Sequence, residues 1–351
     1  MSGDAAKQGY FYVKVYLQAC KCDGHCRIDD LIQHIAHYSN FTKNETAVLQ
    51  QINHEIVCDV TFQRSISVFY ILTFTLGIIA NSMLIFVLLR GKYISEAINC
   101  YVLNLAIADL LTLLQSPIFM RYLAVLMFPL GEFGCKLFLP LDIVAMHVSI
   151  YTLVWMGIQR YFRLKFSRIW LKLRQKKETM ICCIVLWITG IAISFPMMLY
   201  TAQERSLFTG NALQCKGNWP HRGLEQAYMT ALFFLDYPLP GVIIATTYML
   251  IIRTLRNAKI RRHRSLVTKM VFIIILVFMF SYFPFWTFIV CESFSNVISV
   301  FEEPLQTKAK LLSMTLVYCN AVANPFLYVL FSVKCRRNRA KRTVFDVLQM
   351  R

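Results

Sequence analysis

Long apolar segments separated by short polar ones dominate the chain between residues 66 and 332. Seven of them are long enough to cross about 30 Å of hydrocarbon as helices that rise about 1.5 Å per residue. Their apolar residues are continuous rather than alternating, which favours helices over the strands of a membrane barrel. The predicted spans 1 to 7 are Ile66–Leu89, Ile98–Leu123, Leu137–Tyr161, Met180–Tyr200, Tyr228–Ile252, Leu266–Val290 and Leu311–Ser332.

Composition supports an integral membrane protein. Hydrophobic residues make up 57% of the 351 residues and charged residues 16%, whereas soluble domains average about 45–50% and about 25%. This much apolar surface cannot be hidden inside soluble domains, and it also excludes a disordered chain. The predicted fold class is an all-α membrane protein with a seven-transmembrane helix bundle.

Positive charge predicts the orientation of the spans. The loops after spans 1, 3 and 5 and the C-terminal tail, counted with Arg160 and Lys269 at the adjoining ends of spans 3 and 6, hold 24 of the 37 Lys and Arg residues but only three acids, Glu96, Glu178 and Asp346. The positive-inside rule assigns these segments to the cytoplasm. Residues 1–65 are then an extracellular N-terminal segment, 66–332 the membrane domain, and 333–351 a short amphipathic eighth helix and tail. Anionic lipid explains basic residues so close to the membrane, so no nucleic-acid partner is predicted.

The N-terminal segment carries residues typical of the extracellular side. Asn40 and Asn44 begin acceptor patterns for N-linked glycosylation. Four cysteines also lie in this segment: Cys20, Cys22, Cys26 and Cys58. They lack the spacing of a zinc site, so one or two disulfides in an oxidising compartment are favoured over a metal.

Polar residues inside the spans are candidates for function. Asp109 lies deep in span 2, where a carboxylate is costly unless it has a partner, and protonation with bonds to Asn81 and Asn324 is the structural alternative. Arg160 ends span 3 and either acts in function or extends to the lipid headgroups. Pro325 removes a backbone hydrogen bond within span 7, which makes it a bending point for a switch or simply a kink.

An ordered set of eight residues resembles the rhodopsin-like family of G-protein-coupled receptors over residues 66–345. The eight are Asn81, Asp109, Cys135, Arg160, Trp187, Pro240, Pro284 and Pro325. Cys135 also precedes Arg160 by the expected 25 residues. The stretch Ser149-Ile150-Tyr151 with Asp142, and Cys215-Lys-Gly-Asn-Trp-Pro220, are similar to the peptide-receptor branch that contains somatostatin, opioid and allatostatin-C receptors. Galanin and allatostatin-A receptors are close rivals.

The resemblance implies a multi-pass plasma-membrane receptor for an extracellular peptide, with a heterotrimeric G protein as partner and no enzymatic activity. It places Asp142 in the ligand cavity, where it would pair with a cationic group backed by Tyr318. Asp236 is either a second anionic contact or the partner of an internal group. The implied ligand-binding residues are Asp142, Tyr318, Asp236, Phe285 and Trp286.

The resemblance also implies three further sets of residues. A disulfide joins Cys135 to Cys215 on the outer side. An allosteric sodium ion, the only metal or cofactor expected, is held near Asp109, Ser149, Asn320, Asn324 and Asn81. Activation and G-protein coupling use Gln159, Arg160, Tyr161, Tyr248, Phe278, Tyr282, Pro284, Pro325 and Tyr328.

Departures from the family pattern leave alternatives open. Gln159 replaces the usual acid beside Arg160, and Tyr282 replaces the usual Trp of span 6. Both favour a constitutively active or ligand-independent receptor as one alternative. Asp142 with Tyr318 is compatible with a biogenic-amine receptor, although span 5 offers no serine or threonine near Asp236. Without inverted repeats, a transporter or channel is disfavoured.

Overall fold

The computed structural model describes residues 43–90, 97–125, 128–166, 176–206, 212–257, 262–294 and 308–330. Within these ranges, seven helical spans are long and apolar enough to cross a membrane, which confirms the predicted fold class. The helices of spans 1 to 7 are Lys43–Arg90, Ala97–Val125, Gly131–Lys165, Lys176–Tyr200, Arg222–Asp236 with Pro238–Asn257, Arg262–Ser293 and Lys308–Leu330. Two strands after span 4, β1 (Thr201–Ser206) and β2 (Ala212–Gly217), pair in one sheet.

Two compact units make up the chain. The first contains Met1–Phe69 and Arg205–Ala212, and of it the structure describes helical backbone from Lys43 onward and the ends of the two strands. The second contains Tyr70–Glu204 and Leu213–Arg351, and the helix bundle and the candidate site belong to it.

Several predictions fall outside the described residues and stay predictions. They concern glycosylation of Asn40 and Asn44, the pairing of the four N-terminal cysteines, and the eighth helix within 333–351.

All seven helices begin earlier than the apolar pattern predicts, by the most in spans 1, 3 and 5. The helix of span 1 begins at Lys43 rather than Ile66, and that of span 3 begins at Gly131 rather than Leu137. Gly131 has φ 67°, a backbone conformation that glycine adopts without steric cost. Glu132 in the first turn favours the helix N-terminus and pairs with Lys136 at 2.8 Å. Hydropathy misses such turns because they are polar, although their backbone bonds continue the helix.

Span 5 consists of two helices, a division that the continuous apolar pattern did not predict. The first ends at Asp236, Tyr237 has non-helical angles (φ −129°, ψ −73°), and the second begins at Pro238. Because Pro240 has no N–H, it cannot donate to the carbonyl of Asp236, which weakens the helix at this position. The break therefore follows from the two prolines.

Span 3 is the most enclosed helix of the bundle. In its central part 67% of residues are buried, against 22% in span 4 and 28% in span 1. Span 1 instead presents large apolar side chains outward, and Leu76, Ile79 and Met83 are 52–65% exposed. Such a surface suits hydrocarbon, so spans 1 and 4 form the rim and span 3 the axis around which the site is built.

A hydrogen-bonded chain joins spans 2, 3 and 4. Asn104 Nδ2 donates to Thr152 Oγ1 at 2.7 Å, and Trp187 Nε1 donates to Asn104 Oδ1 at 2.9 Å. Both Asn104 and Thr152 are buried. Each polar group thus has a partner within the membrane, where water is not available to replace it.

Replacing Trp187 with Phe is expected to destabilise the bundle. The ring volume is largely kept, but Asn104 Oδ1 loses its donor, which typically costs about 0.6–2 kcal/mol between membrane helices. The thermal midpoint of the detergent-solubilised protein should fall by a few degrees. Trp155→Phe is the matched control, because Trp155 is 38% exposed. Equal midpoints for the two variants would contradict the prediction.

Candidate functional site

A disulfide anchors the hairpin to span 3. Cys135 and Cys215 are bonded, with Cα atoms 5.5 Å apart, which confirms the predicted pair. Cys215 lies on β2, and the neighbouring Leu213 carbonyl accepts a 2.8 Å bond from the Phe128 N–H. The strand is thereby held at the outer end of span 3.

Asp142 is the acidic group available in the outer half of the bundle. It is half-buried, and no described residue donates a hydrogen bond to its carboxylate. Tyr318 and Tyr282 lie close enough to interact with it electrostatically. Tyr318 is positioned by an edge-on contact with Tyr70, at 5.3 Å between ring centroids. The structure therefore places Tyr318 near Asp142, and the pairing of this carboxylate with an external cation stays a prediction.

Aromatic rings of span 6 pack against one another, and one of them, Tyr282, lies near Asp142. Tyr282 stacks on Phe278 with centroids 4.2 Å apart and meets Phe285 edge-on at 6.3 Å. Trp286 is 2% exposed and contacts Phe285 and Phe233. Phe285 and Trp286 thus lie within a packed layer rather than on an open surface, and their role as ligand contacts stays a prediction.

Asp236 does not resemble Asp142 in its surroundings. Its side chain is 0% exposed, and Oδ1 lies 2.7 Å from Nδ1 of His147. The second ring nitrogen, Nε2, lies 3.2 Å from Thr189 Oγ1. The structure thus favours the internal partner over a second anionic ligand contact. The sequence analysis missed His147, although a lone histidine in an apolar stretch of span 3 is itself a signal.

A polar cluster lies at mid-membrane, as predicted in part. Asn324 Nδ2 donates to Asp109 Oδ2 at 2.9 Å, and Asn81 donates to the carbonyls of Gly77 and Ala321. A cavity of about 10 Å³, roughly the space one water molecule needs, is lined by Asp109, Asn81 and Asn324 among others. Two other predicted members, Ser149 and Asn320, are buried but do not line it.

Residues at the cytoplasmic ends of the spans form separate contacts. Tyr328 Oη donates to Asn99 Oδ1 at 2.9 Å, which ties span 7 to span 2. Arg160 lies near enough to Tyr248 for an electrostatic interaction, and Tyr248 stacks on Phe272 at 4.3 Å. Asn99 was not predicted, since an Asn at a helix terminus gives no sequence signal for its partner.

The fold and the residues at these positions define a class of protein: a membrane receptor built on seven helices. Residues 80–328 match the family described as "7 transmembrane receptor (rhodopsin family)", and the chain belongs to that family. It is a multi-pass plasma-membrane receptor and not an enzyme.

Similar proteins include three mammalian receptors. Somatostatin receptor type 4 of Rattus norvegicus is 27% identical over 78% of this chain and 71% of its own. Somatostatin receptor type 5 of Rattus norvegicus is 30% identical over 79% of this chain and 77% of its own. Somatostatin receptor type 2 of Mus musculus is 29% identical over 78% of this chain and 75% of its own.

Restoring an acid beside Arg160 is expected to lower ligand-free signalling. A carboxylate in place of Gln159 would hold the guanidinium by a charge-assisted bond, about twice as strong as a neutral one. A gain of about 1.4 kcal/mol for the resting state lowers the ratio of active to resting receptor about tenfold. Ligand-free G-protein activation by Gln159→Asp should fall accordingly at matched surface level. Gln159→Asn is the control, because Asn has the size of Asp without its charge. An unchanged or higher signal in the Asp variant would refute the idea.

Proposed function

We propose that this receptor binds an extracellular peptide through a cationic group that pairs with Asp142, and signals through a heterotrimeric G protein. The observation that carries the proposal is the half-buried Asp142 carboxylate, which no described residue hydrogen-bonds. A cation placed there gains a strong interaction because both charges leave water. The relatives named as somatostatin receptors support a peptide as the ligand.

The surroundings of span 5 weigh against a biogenic amine. Leu232 and Phe233 have no hydroxyl to offer a catechol or an indole. Leu232 is also only 3% exposed, and Phe233 packs against Trp286. Asp236, the remaining polar group nearby, is engaged by His147. A ligand held only at Asp142 needs further contacts elsewhere, and a peptide supplies them along the hairpin and the outer ends of the spans.

A screen of a peptide library in transfected cells tests the proposal directly. The readout is G-protein activation, measured with a panel of Gα subunits so that no coupling class is assumed. We expect activating peptides to carry a Lys, an Arg or a free amine, and to lose activity when that group is neutralised. Activation by small amines alone, with no response to any peptide, would overturn the proposal.

We also propose a sodium ion at the mid-membrane cluster. Its ligands would be the Asp109 carboxylate and side-chain oxygens of Asn81 and Asn324, both of which have no hydrogen-bond partner in the structure. Hard oxygen donors around one carboxylate suit this ion. The polar atoms of these residues do not face the small cavity that the residues line, so the side chains would have to turn toward it to hold the ion, which favours weak binding.

Sodium is therefore expected to raise the thermal midpoint of the purified receptor, because a ligand that binds only the folded state stabilises it. The comparison is NaCl against choline chloride at equal ionic strength. The rise should be about zero in Asp109→Asn and retained in Glu132→Gln, whose carboxylate is on the surface. A sodium-dependent rise that persists in Asp109→Asn would place the ion elsewhere.

A further inference from the structure

Three spans meet at a buried polar triad that consists of His147 in span 3, Thr189 in span 4 and Asp236 in span 5. His147 contacts Asp236 at 2.7 Å through Nδ1 and Thr189 at 3.2 Å through Nε2. The side chains of His147 and Asp236 are 6% and 0% exposed. Asp142 takes no part in these bonds.

The donors and acceptors of the triad define its chemistry. The Thr189 hydroxyl has one proton, which it shares between the backbone carbonyls of Val185 and Leu186. Its oxygen therefore accepts from Nε2–H of His147. The short contact between Nδ1 and Asp236 Oδ1 then requires one further proton, held by either atom. With that proton the pair is neutral overall and each charge has its partner, which is the condition for placing such groups inside a membrane.

The pair is located where span 5 is weakest. Asp236 is the last residue of the outer helix, Arg222–Asp236, and Tyr237 interrupts the helical backbone immediately after it. The adjacent carbonyl of Leu235 accepts a 2.8 Å bond from Tyr151 Oη of span 3. The outer helix is therefore tied to span 3 at its lower end, beside the break in the helical backbone.

We propose that His147 and Asp236 are positioning residues that hold the outer helix of span 5 against span 3 in the resting receptor, and that separation of the pair favours the active state. A receptor switches when one of two helix arrangements is stabilised over the other. The pair contributes to one arrangement only, because its 2.7 Å contact is lost when the outer helix shifts. Asp236 Oδ2 has no hydrogen-bond partner, so the carboxylate has an acceptor free for water once the pair opens.

The test compares variants in which no buried charge is left alone. His147→Phe combined with Asp236→Leu removes both polar groups, and His147→Asp combined with Asp236→His restores a pair in the reverse direction. We expect the apolar double variant to raise ligand-free G-protein activation about tenfold over the parent at matched surface level, and the exchanged variant to return within about twofold of the parent. Thr246→Val is the matched control and should change the signal less than twofold, because Thr246 is an exposed residue of span 5 whose hydroxyl bonds only to carbonyls of its own helix.

The measurement is made in the parent and in Gln159→Asp, so that a high basal signal cannot mask an increase. An apolar double variant that signals like its parent in both backgrounds overturns the proposal and leaves the pair a purely structural contact. An exchanged variant that reaches the surface but signals like the apolar one also overturns it, because packing rather than the pair would then set the resting state. Neither readout uses a peptide, so failure here is distinct from failure of the proposed ligand.

Discussion

Asp142→Asn is expected to reduce the affinity for an activating cationic peptide by about 30-fold to several-thousand-fold. Loss of one partner of a desolvated charge pair costs about 2–5 kcal/mol, and every 1.4 kcal/mol is about tenfold in affinity. The amide keeps the size of the side chain and removes its charge. Since no described residue hydrogen-bonds to the carboxylate, the protein itself loses no such bond, and surface expression should match the parent.

The same helix supplies a control for the Asp142 prediction. Glu132→Gln also removes one negative charge, but Glu132 is exposed and pairs with Lys136 at the surface, so the affinity should change less than twofold. A peptide analogue with its cation neutralised provides the second half of a double-mutant cycle. It should bind the parent weakly and bind Asp142→Asn no more weakly than the unmodified peptide does. Full affinity of the Asn variant at equal expression would reassign Asp142 to a structural role.

Removal of the Cys135–Cys215 disulfide is expected to have the second-largest effect. The bond closes a segment with a sequence separation of 80 residues, and removal of a native disulfide typically costs about 2–5 kcal/mol. Membrane-embedded spans stay confined when the fold loosens, which places the expected cost in the lower half of that range. The β2 strand would also be released from the outer end of span 3, so the affinity for the peptide should fall together with the stability of the receptor.

The disulfide prediction is measured on the double variant Cys135→Ser with Cys215→Ser, which avoids leaving one reactive thiol. We expect surface expression to fall severalfold, and the thermal midpoint of the remaining receptor to drop by several degrees. Cys291→Ser serves as the control because Cys291 is a free cysteine. Unchanged stability and unchanged peptide affinity in the double variant would show that the hairpin holds its position without the bond.

Partner choice within the membrane was only partly accessible from the sequence. Asp109 with Asn324 could be predicted because a carboxylate deep in a span needs a polar partner, and few were available. Asp236 with His147 could not, since the pairing depends on the rotation of spans 3 and 5 about their axes and on where span 5 breaks. For the same reason the sequence left open whether Asp236 is a ligand contact or has an internal partner.

The sequence alone determined the number of spans, their approximate limits and the orientation inferred from charge. Those properties depend on local composition, because about 20 apolar residues suffice to specify a membrane helix. Only the tertiary structure decided the early starts at Lys43 and Gly131, the hairpin, and the division of span 5 at Tyr237. It also decided that Asp236 contacts His147, whereas no described residue hydrogen-bonds to Asp142. These features are set by contacts between helices remote in sequence, and no local pattern encodes which faces of those helices meet.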